Sequence, residues 1–317
     1  MRPLAGGLIN STFVVGEPPQ AVIQCLHPVF GPRVNEDIEA VTEHLVARGM
    51  MTPRLLRTDE GALWVEEDGT WRALSWVPGH THHTLKDPAL AAEAGALVAR
   101  WHRSTEDLEH DFAFSRPLAH DMGHHMEVLQ QAVDERPEHP LATDVARLGQ
   151  ELAEAYARLG APDGFSLGIT HGDLKISNLR FDEQGRGLCL LDLDTLGRLP
   201  LSVELGDAWR SWCNPASEDD AETRFDLQLF EASARGYLAE RPLARELLEL
   251  LPAGVERICV ELSARFAADA LRESYFGWDA SRFETRGQHN LLRARGQAAL
   301  ARSVREKRSE MERILKA

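Results

Sequence analysis

Three oxygen-bearing side chains and one lysine near the middle of the chain have the spacing of a phosphoryl-transfer loop. The segment ITHGDLKISNLRF (residues 169–181) holds Asp173, Lys175 and Asn178, and LLDLDT (residues 190–195) follows with Asp192. Residues 165–170 and 187–193 read as short strands around a loop. If the strands pair, Asn178 and Asp192 converge on one point. They then offer a carboxamide and a carboxylate oxygen, hard ligands that suit Mg²⁺. Asp173 faces an incoming hydroxyl and accepts its hydrogen bond. Phosphoryl transfer needs little more than positioning, charge neutralisation and an oriented nucleophile. Taken singly, such Asp and Asn residues are ordinary turn formers; the whole string carries the chemical reading.

The elements that must position these residues fall into two groups. Residues 8–15 and 20–26 read as a hairpin broken by GEPP. Residues 35–48 carry apolar side chains at helical spacing, closed by Arg48 and Gly49. Strands are expected at 62–66 and 70–76 around the turn Asp68-Gly69. After the break at Val77-Pro78-Gly79 the pattern turns helical, at 88–102, at 144–159 and from about 226 onward, with 298–315 read as a solvated terminal helix. The expected architecture is α+β and bilobal. Residues 1–78 form a β-rich nucleotide lobe with one helix, and residues 79–317 a helical lobe carrying the catalytic loop and the acceptor pocket.

The string HGDLKISN with LLDLDT resembles the aminoglycoside phosphotransferase and choline kinase superfamily, which has a protein-kinase-like fold. GGLINSTFVV, EAVTEHL, ELGDAWR, RFAADAL and HNLLRARGQ extend the likeness along the chain, and they are similar to segments of N-acetylhexosamine 1-kinase-like sugar kinases. The resemblance implies an ATP- and Mg²⁺-dependent kinase. Asp173 is its catalytic base, Asn178 and Asp192 are its metal ligands, and His171 supports the loop. It also implies that Lys175 touches the transferred phosphate, and that the acceptor is a small-molecule hydroxyl, most simply that of an N-acetylhexosamine. Amino alcohols, homoserine and aminoglycosides are alternative acceptors, and a regulatory pseudokinase is an alternative of another class.

The chain departs from the kinase pattern in its third strand. AVIQCL places Gln24 where such kinases carry a phosphate-binding lysine; a glutamine donates a hydrogen bond but brings no charge. Lys175 and Mg²⁺ are expected to make up the difference. Glu39 is the expected helix carboxylate, with Glu43 next, although either can be plain surface charge. Gly6, Gly7, Asn10 and Thr12 are placed over the phosphates through backbone N–H groups. The relatives carry a segment ahead of this glycine pair, so the chain is expected to start short. Backbone from Ser75 to Val77 is placed on the adenine, near Trp76. Arg265, Tyr275 and Trp278 are the candidates for acceptor recognition.

Bulk properties narrow the partners. With a formal net charge of −15, the chain is repelled by nucleic acid and by anionic lipid. No run approaches a membrane span, and no signal peptide is read at the start. Cys25, Cys189, Cys213 and Cys259 are scattered without a CxxC pair, so a reducing cytoplasm is expected. His120 and His124 stand at the i, i+4 spacing that puts metal ligands on one helix face, but the histidines at 80, 82, 83, 120, 124 and 125 lack a third ligand and read as surface or supporting residues. Asp194 is expected to point away from Asp192, and Asp207 with Arg210 to pair locally in a loop wall. Oligomeric state is left open.

Overall fold

Strand signals in the first eighty residues condense into one antiparallel sheet. The computed structural model describes residues 1–4, 10–116, 118–160, 167–220 and 222–317; Gly6 and Gly7 lie outside these. Strands β1 (Arg2–Pro3), β2 (Ser11–Val15), β3 (Ala21–Cys25), β4 (Leu55–Leu56), β5 (Val65–Glu66) and β6 (Thr70–Ser75) join in the order β1-β2-β3-β6-β4, with β5 on β6. The register sets Thr12 opposite Gln24 and Gln24 opposite Arg72, then Val14 opposite Val22 and Val22 opposite Leu74. Opposed residues share a face, so one face of the sheet carries a polar row beside an apolar row. Helix α1 (Val34–Ala47) buries Val34, Ile38, Val41 and Leu45.

Residues beyond the sheet are mainly helical: α2 (Pro88–Thr105), α3 (Met122–Glu135), α4 (Ala142–Leu159), α5 (Leu201–Trp212), α6 (Leu227–Glu240), α7 (Arg245–Arg272), α8 (Arg286–Glu306) and α9 (Arg308–Lys316). Asp87 caps α2 by accepting from the Ala89 N–H at 2.9 Å, and Pro88 opens the helix with its φ already set. Two small hairpin sheets are inserted between α4 and α5: β7 (Leu167–Thr170) pairs with β10 (Gly197–Pro200), and β8 (Leu179–Phe181) with β9 (Gly187–Leu190). Gly79 links sheet to helices at φ +112°, where a Cβ would lie 2.2 Å from the Phe181 carbonyl oxygen. His80 and Phe181 exchange two backbone hydrogen bonds of 2.9 Å there.

The structure corrects the sequence reading in three places. The ELGDAWR segment is helix α5 rather than a loop wall. Leu201, Leu205, Trp209 and Trp212 recur at helical spacing there, and Val203 to Arg210 are all buried. The last residues are not solvated: Ala298, Leu300, Ala301, Val304, Met311 and Leu315 are buried, across a break at Lys307. His120 precedes α3, whose N-cap is Asp121, so His120 and His124 share no helix face. Among the described residues no group of three or more His, Cys, Asp or Glu is placed to hold a metal.

Helices α2 and α6 cross at contact distance through glycines. A Cβ on Gly236 would lie 2.0 Å from the Ala92 carbonyl oxygen, and one on Gly95 2.0 Å from that of Ser233. On an open helix surface Gly→Ala stabilises by about 1 kcal/mol. Gly236→Ala is expected to reverse that sign and destabilise by about 1–3 kcal/mol through overpacking. The check is a lower urea midpoint at an unchanged m-value.

Candidate active site

The loop after β7 is held from below by α5. Glu204, in the first turn of α5, accepts the His171 N–H at 2.7 Å and the Gly172 N–H at 3.0 Å. Gly172 sits at φ +78°, with Thr195 carbonyl oxygen where a Cβ would go. The Trp212 indole donates to the Leu174 carbonyl at 2.8 Å, and Ser211 Oγ accepts from the Ile176 N–H at 3.0 Å. His171 is fully buried and ties the two chemical loops together. Its Nε2 donates to the Leu191 carbonyl at 2.7 Å, and its Nδ1 accepts the Asp173 N–H at 3.3 Å. The sequence reading missed Glu204, Ser211 and Trp212; the one available signal was a lone carboxylate inside an apolar run.

Glu204 gives the loop a pH dependence. Burial opposes its ionisation, but the hydrogen bond and charge of His102 with the backbone donors outweigh this and hold its pKa below the ordinary 4.5. A depressed carboxyl contributes stability that is complete above its unfolded pKa and is lost as pH falls through the folded value. Native stability is therefore expected to decline below about pH 4.5. Glu204→Gln should cost about 1.5–3 kcal/mol at neutral pH and flatten that decline. Unfolding free energies measured between pH 6 and 3 check both.

Asp173 Oδ2 accepts Lys175 Nζ at 2.6 Å and Asn178 Nδ2 at 3.1 Å. Burial favours the neutral acid, but the Lys175 charge prevails and keeps the Asp173 carboxyl below its usual range. The Lys175 ammonium, opposed by burial but facing Asp173 and Asp192, is held well above its usual value. The second Asn178 Nδ2 bond, 2.9 Å to the Asp173 carbonyl, points Oδ1 the other way. Asp192 begins a 3-10 turn (Leu193–Thr195) in the left-handed region, φ 60° and ψ 61°. It is open to solvent at the cleft floor yet walled by protein. Desolvation and the neighbouring Asp194 charge push its carboxyl up. Asn178 and Asp192 line the same cavity and offer it a carboxamide and a carboxylate oxygen amid surplus negative charge, donors that fit a divalent cation.

These residues line a cavity of about 1220 Å³ with Asn10, Thr12, Gln24, Arg72, Ser75 and Val77 on one side and Arg265 and Tyr275 on the other. Glu39 and Trp278 are not in its lining. Glu39 instead accepts from Arg57 at 2.7 Å, and Glu43 stands 3.7 Å from Arg54. Trp76 lies under the Arg180 guanidinium, 5.0 Å from its ring centre. Asp194 lines the same cavity and is buried against Arg72 and Asn10. Asp207 and Arg210 do pair, at 2.9 Å. Burial and Asp173 push the Asp207 carboxyl up against the pull of Arg210.

A model of the phosphotransferase enzyme family matches residues 1–247. The chain belongs to that family. It is a small-molecule kinase, transferring a phosphoryl group to an alcohol oxygen. Solved structures agree on the fold. An amicoumacin kinase in complex with AMP-PNP, Ca²⁺ and Ami is 17% identical at a TM-score of 0.64, covering 94% of this chain and 87% of that one. A microcompartment-associated aminopropanol kinase is 18% identical at 0.63, covering 96% and 93%. An aminoglycoside phosphotransferase from Alicyclobacillus acidocaldarius is 17% identical at 0.60, covering 98% and 93%. At such identities the likeness is one of fold, and the α+β kinase-like architecture expected from sequence is the one this family member has.

Proposed function

We propose that the enzyme uses ATP and Mg²⁺ to phosphorylate a hydroxyl of a sugar, an N-acetylhexosamine being the first candidate. The observation that carries the sugar reading is the charge balance of the acceptor wall. Glu261 is buried with His120 at 3.2 Å and Arg265 at 3.7 Å, and Asp207 is matched by Arg210. Burial disfavours charge on His120, yet Glu261 lifts its pKa above the ordinary imidazole value. Neutralised carboxylates of this kind suit a polyhydroxylated, uncharged ligand better than a polycation. Glu261 lines the cavity, and its Oε2 is buried without a hydrogen-bond partner among the described residues. Tyr275 and Phe276 supply the flat apolar faces.

In this reading residues 1–78 bind the nucleotide and residues 79–317 the acceptor. The apolar row Val22–Leu74 covers the adenine, beside backbone from Ser75 to Val77. The polar row and the segment with Gly6, Gly7, Asn10 and Thr12 cover the phosphates. Asp173 accepts the acceptor hydroxyl hydrogen bond and takes its proton as the new oxygen–phosphorus bond forms and the bond from the γ-phosphorus to the bridging oxygen breaks, with ADP leaving. Lys175 shifts from Asp173 Oδ2 toward the transferred group and balances its charge. Asn178 and Asp192 would hold Mg²⁺, which neutralises phosphate charge when bound. Among the described residues no helix is long and apolar enough to cross a membrane, and the four cysteines are free thiols; both are compatible with work in the cytoplasm.

Acceptor-dependent ADP release by the purified protein tests this, with N-acetylglucosamine, N-acetylgalactosamine, other sugars, choline, homoserine and kanamycin as the panel. Turnover with one sugar is the expected result. Turnover with only an amine-bearing acceptor overturns the sugar reading. ATP binding without turnover on any acceptor favours a pseudokinase.

A further inference from the structure

Arg72 is a buried cation in the ceiling of the cavity, its side chain 1% exposed. Its Nε and Nη2 both donate to Gln24 Oε1, at 3.0 and 2.7 Å, and Nη1 donates to Asn35 Oδ1 of α1 at 3.3 Å. Nη1 also stands 2.5 Å from Asp194 Oδ1, an ion pair without the alignment of a hydrogen bond. Asn10 Nδ2 holds the other Asp194 oxygen at 2.6 Å, while Asn10 Oδ1 accepts the His27 N–H at 2.9 Å. The Arg72 guanidinium therefore gathers β3, α1 and β6, and together with Asn10 in the lead-in to β2 it holds one carboxylate, two residues from Asp192. Gln24 also donates to Thr12 Oγ1 at 3.3 Å, which keeps its oxygen toward Arg72. A lysine at position 24 would set a second cation against the guanidinium. Gln24 is thus the neutral partner that Arg72 requires, and not simply a lost lysine.

We propose that Arg72 is the positioning residue that fixes the Asp192 loop to the small sheet. The charge absent from β3 is delivered from β6, through Asp194, to the metal-nucleotide end of the cleft. The inference rests on the kinase reading. A buried pair broken on one side strands the other charge, so the Arg72 network should control the metal-phosphate end while leaving the adenine end intact.

Calorimetric titration with ADP plus Mn²⁺, and separately with adenosine, distinguishes the two ends. Arg72→Gln is expected to weaken Mn²⁺–ADP binding roughly tenfold and to lower kcat. Adenosine affinity and the acceptor KM should stay within about twofold. Gln24→Lys added to Arg72→Gln should recover much of the loss, because it inverts the pair, whereas Gln24→Lys alone should be harmful. Asn10→Ala, which strands no buried cation, should show the same split more weakly and serves if Arg72→Gln does not fold. Unchanged Mn²⁺–ADP affinity in these variants, or a parallel loss for adenosine, overturns the proposal. Failure of the unmodified protein to bind Mn²⁺–ADP would instead overturn the kinase reading itself.

Discussion

Asp173→Asn is expected to lower kcat by roughly 10²- to 10⁴-fold, the usual range for losing a positioned general base. The substitution keeps the shape of the side chain and one oxygen, so the loop pinned by Glu204, His171 and Trp212 should persist. What it removes is the proton acceptor and the negative charge that holds Lys175 at 2.6 Å. ADP binding should change little, because the proposed role of Asp173 is toward the acceptor oxygen rather than the nucleotide. Single-turnover rates at saturating acceptor, read beside the melting temperature, check this. Unchanged turnover would remove Asp173 from the chemistry.

The second large effect concerns Asp192. Asp192→Asn is expected to cost at least roughly 10²-fold in kcat, in the range seen for removing a group that stabilises transition-state charge. It should also weaken Mn²⁺ binding in the nucleotide complex. Asparagine is the informative replacement because it tolerates the left-handed backbone at φ 60°. Alanine there would add strain of about 1 kcal/mol or more to the loss of the ligand. The metal-free protein should not lose stability, and a rise in its melting temperature is expected. The reason is that Asp173, Asp192 and Asp194 crowd like charge beside the cleft floor, and the substitution relieves part of it. A gain in apo stability joined to a loss of turnover is the mark of a functional site that stores unfavourable electrostatics. Loss of stability and activity together would assign Asp192 a structural role.

The convergence of the loop residues on one cavity was legible because they are near neighbours in sequence. Asp173, Lys175 and Asn178 lie within six positions, and Asp192 ends the adjoining hairpin, so local pairing alone brings them to one cavity. Gln24 shows where such reading stops. Both its strand and that of Arg72 were visible as strands, but their register is a long-range property, so Gln24 read as a deficit rather than as half of a pair. Glu39 failed in the same way: helix α1 was predictable, its rotation against the sheet was not, and Asn35 faces Arg72 in its place. Helix α5 carried its apolar stripe, Leu201, Leu205, Trp209 and Trp212, but ELGDAWR read as a loop wall. Glu204, which supports the whole loop, went with it.

The paired backbone bonds between His80 and Phe181 have a mechanical consequence. They weld the start of the helical part to the strand that leads out of Asn178, and the tight approach of Gly79 to Phe181 leaves that weld no slack. On the other side, the Trp76 N–H bonds to the Gln20 carbonyl at 3.0 Å, so Trp76 travels with the sheet. The covalent hinge between sheet and helices is thereby confined to Val77 and Pro78. The far end of the sheet is tethered separately, by Arg72 and Asn10 on Asp194, and α1 by Asp37, which accepts from His110 and from the Ala113 and Phe114 N–H groups. The width of the cleft is therefore set by backbone at one end and by side-chain bonds at the other.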